Sequence, residues 1–502
     1  MQYLNKTSSL TRYLIFFFFL LTSLFVRGQK HFDFNTGCRQ AYQEIIRLKL
    51  DAGQVILDNE KKKDPDNLIP YFLENYIDFF VLFFNEDPSE YKARKGNLDK
   101  RIEWMNEGPE SSPFYLFTKS LIHFQWAAVK IKFGNNWAAG WEFRRSFLEV
   151  RENQQKFPGF PLNTMLSATM QVVSGTIPDG YKWLSNLLGI KGNIKTGMQD
   201  LSGFLILPDT WATLYHDEAI FYFLYLKFYI ENQRAEVFAY IRQNRLDLRR
   251  NHLYAYLASN LAVNDQQSAY VQEIIRQKSS DHEYLDMPVW DLEMGYARMN
   301  HLDIDANVYL ERFIRRFQGA FYVKDALQKL SWFYYLQGDQ EKANQFRAMI
   351  QKQGSTVSDA DKQALREAGS GVWPDKGLLR ARLLCDGGYY FEALQCLQGQ
   401  HTDNYTLPEQ KVELTYRLAR IYDGLGRQEE AIAAYLSTIR AGGTLTAYYA
   451  ARAALQIGTI YEKGGDRKKA IEWFQKCLSL KDHEYKNSLD QKAKAGIARC
   501  SE

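Results

Sequence analysis

Apolar segments of helical length, separated by short groups of Asp, Asn, Gly and Pro, dominate the first two thirds of the chain. Such groups favour helix ends and turns. The segments predict helices over residues 41–60, 67–85, 88–106, 113–133, 137–156 and 211–232. The last of these is apolar almost all round, which is typical of a helix buried on every side. No segment alternates apolar and polar residues over the length of a strand, so we predict no sheet.

Prolines are sparse, with 12 in 502 residues, and long gaps separate them. Because Pro breaks helix interiors, such gaps favour helix. Hydrophobic residues make up 46% of the chain and charged residues 24%, a composition that excludes a disordered protein. A chain of this length exceeds what one compact core usually holds. We therefore expect an all-α protein built from several domains or from an elongated repeat array.

The C-terminal third contains an internal repeat. Four segments share a Gly that is followed five residues later by an Ala: Gly338 with Ala343, Gly388 with Ala393, Gly426 with Ala431, and Gly465 with Ala470. Glycine ends a helix readily because it adopts left-handed backbone angles without a steric penalty. An Ala on the next helix is small enough to let two helices approach closely. Each copy therefore predicts two antiparallel helices joined by a tight turn.

These copies resemble the tetratricopeptide repeat, a helix–turn–helix of about 34 residues. The resemblance is strongest at residues 415–438 and 454–477, where Tyr435 and Phe474 follow the Ala by four positions. The steps from one Gly to the next exceed the length of the repeat, so additional segments intervene. The resemblance implies a right-handed superhelical array of antiparallel helix hairpins, which is an α-solenoid without a sheet.

Two further resemblances concern other parts of the chain. Residues 133–201 resemble the family typified by the yeast inclusion-body clearance protein, and the helical array of that family agrees with the all-α prediction. Residues 306–336 are similar to repeats in the helical lipoproteins of the outer-membrane barrel-assembly machinery. We divide the chain into an irregular helical-repeat region, residues 29–300, and a tetratricopeptide-like repeat region, residues 301–502.

A Gly-rich stretch at residues 174–201 interrupts the helical pattern. Within it, residues 181–188 predict a short helix with apolar residues on one side. We interpret this helix as the cap of a hairpin. The alternative is a helix that binds a partner or a membrane surface.

The first 28 residues have the order of a secretory signal peptide. Lys6 and Arg12 precede a mostly apolar run at 13–26, and Gly28 provides a small residue at the cut. The run is shorter than the roughly 20 residues that a spanning helix needs. No Cys follows it directly, so we expect no lipid anchor. The pattern predicts a protein exported to the periplasm or cell envelope, with no integral membrane segment after cleavage.

Motifs of catalysis and cofactor binding are missing from the sequence. It contains no HExxH, GxSxG, P-loop or dinucleotide-binding motif, and none of its eight His pair at helical zinc spacing. The acid–His clusters at 216–218 and 281–283 are interpreted as exposed polar helix ends. Cys385 and Cys396 are expected to be buried free thiols, with a disulfide between them as the alternative. We therefore expect no enzyme, no metal site and no cofactor.

The balance of basic and acidic residues limits the classes of partner that we expect. The formal net charge is only +4, which argues against a dedicated nucleic-acid binder. Three classes remain: an exported non-catalytic scaffold that binds a protein or peptide, an accessory subunit of an outer-membrane assembly or secretion complex, and an exported helical enzyme or glycan-binding protein. The first is favoured because a repeat array offers an extended concave surface.

The resemblance also implies which residues meet a ligand, because the first helix of each tetratricopeptide hairpin lines the concave groove. Alignment on the Gly residues puts six candidates in that groove: Trp332, Tyr335, Arg382, Tyr416, Arg420 and Asp423. Two guanidinium groups beside aromatic rings suit an extended peptide with acidic or aromatic side chains. The alternative is that both Arg residues pair with Asp375, Glu413 or Asp423 and only solubilise the groove.

Export with cleavage after Gly28 predicts a mature chain that begins at or near Gln29. N-terminal sequencing of protein recovered from the envelope fraction should therefore read Gln29, Lys30 and His31 first. A mature protein that retains the apolar residues 13–26 would contradict cleavage.

Overall fold

The structure is a computed structural model that describes residues 29–175 and 192–501. Helices joined by short turns account for most of these residues, and within them β pairing is limited to one isolated parallel bridge between His31 and Asn67. The predicted all-α fold without a sheet is confirmed. The predicted helix at 181–188 and the predicted signal peptide lie outside the described residues.

The irregular region is a succession of helices that pack against their neighbours in the chain. Before the Gly-rich stretch these are α1 (Thr36–Ile46), α2 (Leu50–Lys63), α3 (Ile69–Asn85), α4 (Pro88–Arg94), α5 (Asn97–Asn106), α6 (Pro113–Lys132), α7 (Asn136–Lys156) and α8 (Pro161–Gly175). After it come α9 (Ile194–Leu205), α10 (Thr210–Leu214), α11 (His216–Tyr229), α12 (Arg234–Gln243), α13 (His252–Asn264), α14 (Ser268–Gln277) and α15 (Val289–Asn300).

The repeat region continues this array. Its helices are α16 (Ala306–Arg316), α17 (Val323–Gln337), α18 (Gln340–Ile350), α19 (Asp359–Gly369), α20 (Lys376–Gly387), α21 (Tyr390–Cys396), α22 (Pro408–Gly424), α23 (Gln428–Gly442), α24 (Tyr449–Lys463), α25 (Arg467–Ser479) and α26 (Lys486–Ser501). Within the described ranges, we find no helix with both the length and the apolar character needed to cross a bilayer.

Three of the predicted helices are each divided in two. The first divides at Leu48, which is fully buried and adopts a left-handed φ of 68°. Its carbonyl accepts a hydrogen bond from the Leu285 amide at 2.8 Å, so a distant segment holds the chain in this break. The other two divide between α4 and α5 and between α10 and α11. The sequence pattern did not reveal the first break because Leu48 is one more apolar residue in an apolar segment.

A buried carboxylate organises the core of the irregular region. The Glu218 side chain accepts hydrogen bonds from the hydroxyl groups of Tyr42, Tyr76 and Tyr222, each at 2.8 Å. Burial raises the pKa of Glu218, and the three hydroxyl donors lower it by less. The prediction that residues 216–218 form an exposed polar helix end is therefore wrong for Glu218. Three hydroxyl groups replace the water that a carboxylate otherwise requires.

The four Gly–Ala copies are confirmed as helix hairpins. A left-handed φ between 73° and 87° is shared by Gly338, Gly388, Gly426 and Gly465. The Ala of each copy is fully buried: Ala343, Ala393, Ala431 and Ala470. At Gly388 a side chain would also collide with the carbonyl oxygen of Gln266, so this turn packs closely against the turn between α13 and α14. The repeat phase inferred from the sequence is the phase of the structure.

The hydrophobic core runs through the proposed boundary at residue 300. Trp290 and Ala297 of α15 pack in the core of the irregular region, whereas Leu292 and Met299 of the same helix pack in the core of the first repeat hairpin. One helix therefore belongs to both cores. The division into two regions stays a prediction about organisation, and it does not fall in a linker.

A second buried carboxylate joins the irregular region to the repeats. Glu86 follows α3 with a left-handed φ of 49°, and its Oε1 accepts a hydrogen bond from Lys132 Nζ at 2.7 Å. Its Oε2 accepts from the backbone amides of Ala320 at 3.2 Å and Phe321 at 3.3 Å, which lie between α16 and α17. Gly319 permits this approach because a Cβ atom there would collide with the Glu86 side chain. We call this contact the Glu86 joint.

Replacing Ala431 by Trp should disrupt the third repeat. Ala431 has no exposed surface and packs among residues of α22 and α24, so a large side chain must displace one of these helices. The free energy of unfolding should fall by about 1–3 kcal/mol or more. Ala433→Trp is the matched control because Ala433 is exposed on the same helix. Equal melting temperatures for the two variants would contradict the assigned repeat phase.

Candidate partner-binding cavity

A large cavity lies between the irregular region and the repeats. Its volume is about 1280 Å³. Residues of α11, α12, α13 and α15 line it from the irregular region, and residues of α17, α22, α24 and α26 line it from the repeats. Typical small-molecule sites have volumes of about 300–1,000 Å³. This cavity is therefore large enough for a segment of polypeptide.

Aromatic rings line the part of the cavity at the Glu86 joint. Phe84 meets Tyr256 edge to face, with ring centroids 4.8 Å apart. The Lys132 ammonium group lies 4.5 Å from the centre of the Phe321 ring. Tyr229 is 40% exposed, and its hydroxyl donates to Asn260 Oδ1 at 3.2 Å. Such rings offer a peptide apolar contact area together with hydrogen-bonding groups.

Glu293 lies in the same wall and is almost fully buried. Its carboxyl group accepts hydrogen bonds from Ser259 Oγ and, at 3.2 Å, from Asn260 Nδ2. Burial raises the pKa of Glu293 to about 8, and the two hydrogen bonds lower it by less. The carboxyl group of Glu293 is therefore largely protonated at neutral pH and itself adds little negative charge to the wall.

Basic side chains line the part of the cavity formed by the last repeats. Arg420, Arg452 and Lys492 contribute from α22, α24 and α26, and Arg234 contributes from α12. The first three form no ion pair with any other residue in the described ranges. Burial, followed by the charges of Arg452 and Arg234, lowers the pKa of Lys492 to about 8. The cavity therefore has an aromatic part and a part that is rich in basic side chains, which the carboxylates of Asp265, Asp386 and Asp423 also line.

Two of the six predicted groove residues, Arg420 and Asp423, line the cavity. The Asp423 carboxylate accepts a hydrogen bond from the Tyr435 hydroxyl at 3.1 Å. Among the described residues, Arg420 forms none of the ion pairs that the alternative interpretation required. A contact of Arg420 and Asp423 with a partner stays a prediction, and their position in the cavity is compatible with it.

Arg382 and Trp332, which were predicted to line the groove, lie outside this cavity, and their contact with a partner stays a prediction. The Arg382 guanidinium forms an ion pair with Glu367 at 3.2 Å and lies 4.7 Å from the centre of the Trp332 ring. Glu367 belongs to α19, a helix inserted between the first and second hairpins. The Gln328 amide also donates to Glu367, at 2.8 Å, so α19 covers the groove face of α17. The helix inserted between the first two copies therefore covers the predicted groove at this point.

Tyr335 and Tyr416 pack against other side chains of the protein, Tyr335 half-buried and Tyr416 buried. The Tyr335 ring stacks on Trp373 with centroids 4.5 Å apart, and its hydroxyl donates to the Pro374 carbonyl at 3.1 Å. Tyr416 is 4% exposed, and the centroid of its ring lies 5.2 Å from the centroid of the Tyr449 ring. Neither ring reaches the cavity in this structure.

The sequence analysis missed the contribution of the irregular region to the cavity. Tyr229 lines it from the helix that was predicted to be buried on every side, although this side chain is 40% exposed. Tyr225, one turn earlier on the same side of α11, is 39% exposed, and this four-residue spacing was the available signal. No local signal connects Arg234 with Lys492, because the two residues belong to distant helices.

The sequence-based expectations also concerned metal-ligating and thiol side chains. We find no group of three or more His, Cys, Asp or Glu that could hold a metal ion in the part of the chain that the structure describes. Cys385 and Cys396 are free thiols, the first buried and the second half-buried. Burial raises the pKa of the Cys385 thiol, which keeps it protonated and unreactive.

Glu293 should make the stability of the protein depend on pH. Because its pKa rises from 4.5 to about 8 on folding, the folded protein binds a proton that the unfolded chain has lost between these values. The free energy of unfolding should therefore fall as pH rises through this interval, and it should fall less in Glu293→Gln. Denaturant titrations from pH 5 to pH 9 measure this, with Glu341→Gln at an exposed position as control. Parallel pH profiles for wild type and Glu293→Gln would contradict the prediction.

A match to a known repeat family agrees with the hairpin geometry. The tetratricopeptide repeat model matches residues 412–439 and 451–483, which contain the α22–α23 and α24–α25 hairpins. No curated protein matches the chain. The crystal structure of the APC/C hetero-tetramer Cut9–Hcn1 is similar at 12% sequence identity and a TM-score of 0.25, over 95% of this chain and 100% of that chain. The matches show that this chain contains tetratricopeptide repeats at residues 412–439 and 451–483, and the two preceding hairpins share the left-handed Gly and buried Ala of these repeats.

Proposed function

We propose that this protein is an exported, non-catalytic scaffold of the cell envelope that binds an extended segment of a protein partner in its cavity. The observation that carries the proposal is the position of the cavity on the repeats. Arg452, Leu455 and Thr459 line it from α24, the first helix of the fourth hairpin. In a tetratricopeptide array this helix forms the concave surface, and concave surfaces are where repeat proteins bind their partners.

The shape of the cavity favours an extended segment over a folded domain. Two different regions of the chain wall it, and its volume of about 1280 Å³ is too small for a domain. The lining offers aromatic rings at Tyr229 and Tyr256 and polar side chains at Gln456 and Thr459. A peptide needs both, because its backbone requires hydrogen-bond partners and its apolar side chains require area to bury.

The cellular location in this proposal rests on the order of residues 1–28. A basic start, an apolar run and a small residue at the cut support export. A second candidate is an accessory subunit of an outer-membrane assembly or secretion complex, supported by the resemblance of residues 306–336 to helical lipoprotein repeats. Both candidates require a stoichiometric protein partner, and the identity of that partner distinguishes them.

Filling the cavity should abolish capture of the partner. Gln456 lines the cavity from α24 and forms no side-chain hydrogen bond with another described residue, so Gln456→Trp reduces the space without breaking an internal contact. We expect a protein captured from envelope extract at one-to-one stoichiometry by wild type to be lost, by about tenfold or more, with Gln456→Trp.

Ala433→Trp adds the same side chain at an exposed position outside the cavity and should capture the partner normally. Mass spectrometry of the bound fractions identifies the partner and measures its amount. Equal capture by Gln456→Trp and wild type would place the binding site elsewhere and contradict the proposal.

A further inference from the structure

Three cationic side chains meet in the cavity from helices that are distant in the chain. They are Arg234 of α12, Arg452 of α24 and Lys492 of α26. Arg452 and Lys492 form no side-chain hydrogen bond or ion pair with another residue in the described ranges. Arg234 donates to the Asn264 carbonyl at 2.9 Å and contacts the Asp265 carboxylate at 3.4 Å. We call these three residues the cation cluster.

Three other arginines on the same repeats form ion pairs with carboxylates, unlike Arg452 and Lys492 in the described part of the chain. Arg382 pairs with Glu367 at 3.2 Å, Arg417 with Glu413 at 2.7 Å, and Arg499 with Glu462 at 2.7 Å. Each of these three guanidinium groups therefore has a carboxylate partner. In the cation cluster the same chain brings like charges together and leaves two of the three without a carboxylate partner.

Burial and repulsion between the positive charges of the cluster both lower the pKa of Lys492. Burial lowers the pKa of Lys492, and the positive charges of Arg452 and Arg234 lower it further, to about 8. Burial also lowers the pKa of Arg234; Asp265 opposes this through its charge and its hydrogen bond, and the charge of Arg452 makes a smaller contribution that lowers the pKa. Like charges held together in a partly desolvated cavity destabilise the fold. An anion bound among them would remove this cost.

We infer that the cation cluster binds carboxylate side chains of the partner, so that the segment held in the cavity is an acidic peptide. This inference rests on the proposed function, because it assigns the chemistry of the partner at the same cavity. The cations are spread over α12, α24 and α26, with Arg420 on α22 as a fourth, rather than gathered on one loop. That spread suits several carboxylates along an extended chain better than one compact anion. The aromatic part of the cavity accommodates the apolar residues of the same peptide.

The first experiment compares two labelled peptides of equal length, one of alternating Glu and Ser and one of alternating Gln and Ser. Fluorescence anisotropy with the full mature chain should show binding of the Glu peptide, weakening as salt is added, and at least about tenfold weaker binding of the Gln peptide. Inorganic phosphate is the third probe. Equal affinity for the Gln peptide, or displacement of the Glu peptide by phosphate at equal concentration, would overturn the inference of an acidic peptide.

The second experiment uses a charge-matched pair of double variants. Arg452→Glu with Lys492→Glu reverses two charges of the cluster, whereas Arg467→Glu with Lys468→Glu makes the same change in net charge at exposed positions on α25. We expect about tenfold or greater loss of Glu-peptide affinity in the first pair and less than about twofold loss in the second. Equal losses would show that only net charge matters and would overturn the site.

Circular dichroism and melting temperature establish that the variants fold, and Arg452→Gln with Lys492→Gln replaces the first pair if it does not. Capture of the natural partner separates this inference from the proposed function. If Gln456→Trp abolishes capture and the cluster variant retains it, the cavity binds a partner without acidic recognition, so the inference fails and the function stands. If neither variant changes capture, the proposed function itself fails.

Discussion

The carboxylate of Glu86 is the buried polar contact that, together with the helix α15 shared by both cores, holds the two regions in their relative position. It is buried and accepts hydrogen bonds from Lys132 and from the backbone amides of Ala320 and Phe321, which lie 234 and 235 positions further along the chain. A buried carboxylate that lost one of these donors would be costly, so the three donors stabilise the contact together. The joint also forms part of the cavity wall, because Glu86 and Phe321 and residues beside them line its aromatic part.

Small residues allow the close contacts within each hairpin and between the two regions. Ala at the crossing of each hairpin lets two helices approach, and Gly in the preceding turn supplies the left-handed backbone that reverses the chain. Gly319 and Gly388 add a second requirement, since any side chain there would collide with Glu86 or with the Gln266 carbonyl. Hairpin geometry and long-range closure thus both depend on the absence of side-chain atoms at a few positions. Charged side chains line the cavity that remains between the two regions.

The contrast between Arg382 and Arg420 shows why the candidate site could be only partly predicted. The two residues occupy equivalent positions in successive copies, so the sequence treats them alike. In the structure, α19 brings Glu367 to Arg382 and covers that part of the groove, whereas Arg420 is left facing the cavity. The sequence did indicate an insertion, through the long step between the first two copies. It did not indicate where the inserted helix packs, because that depends on contacts such as the one between Gln328 and Glu367.

By itself, the sequence determined the local architecture of this protein. The spacing of Gly and Ala specified the hairpins, and the apolar segments specified most of the helices, because turn geometry and helix burial depend on residues a few positions apart. Tertiary structure alone decided the break at Leu48, the burial of Glu218 among three tyrosines, and the meeting of Arg234 with Arg452 and Lys492. Each of these depends on electrostatic or hydrogen-bonding contacts between residues far apart in the chain. Such contacts exist only once the array has closed, so no local pattern of residues encodes them.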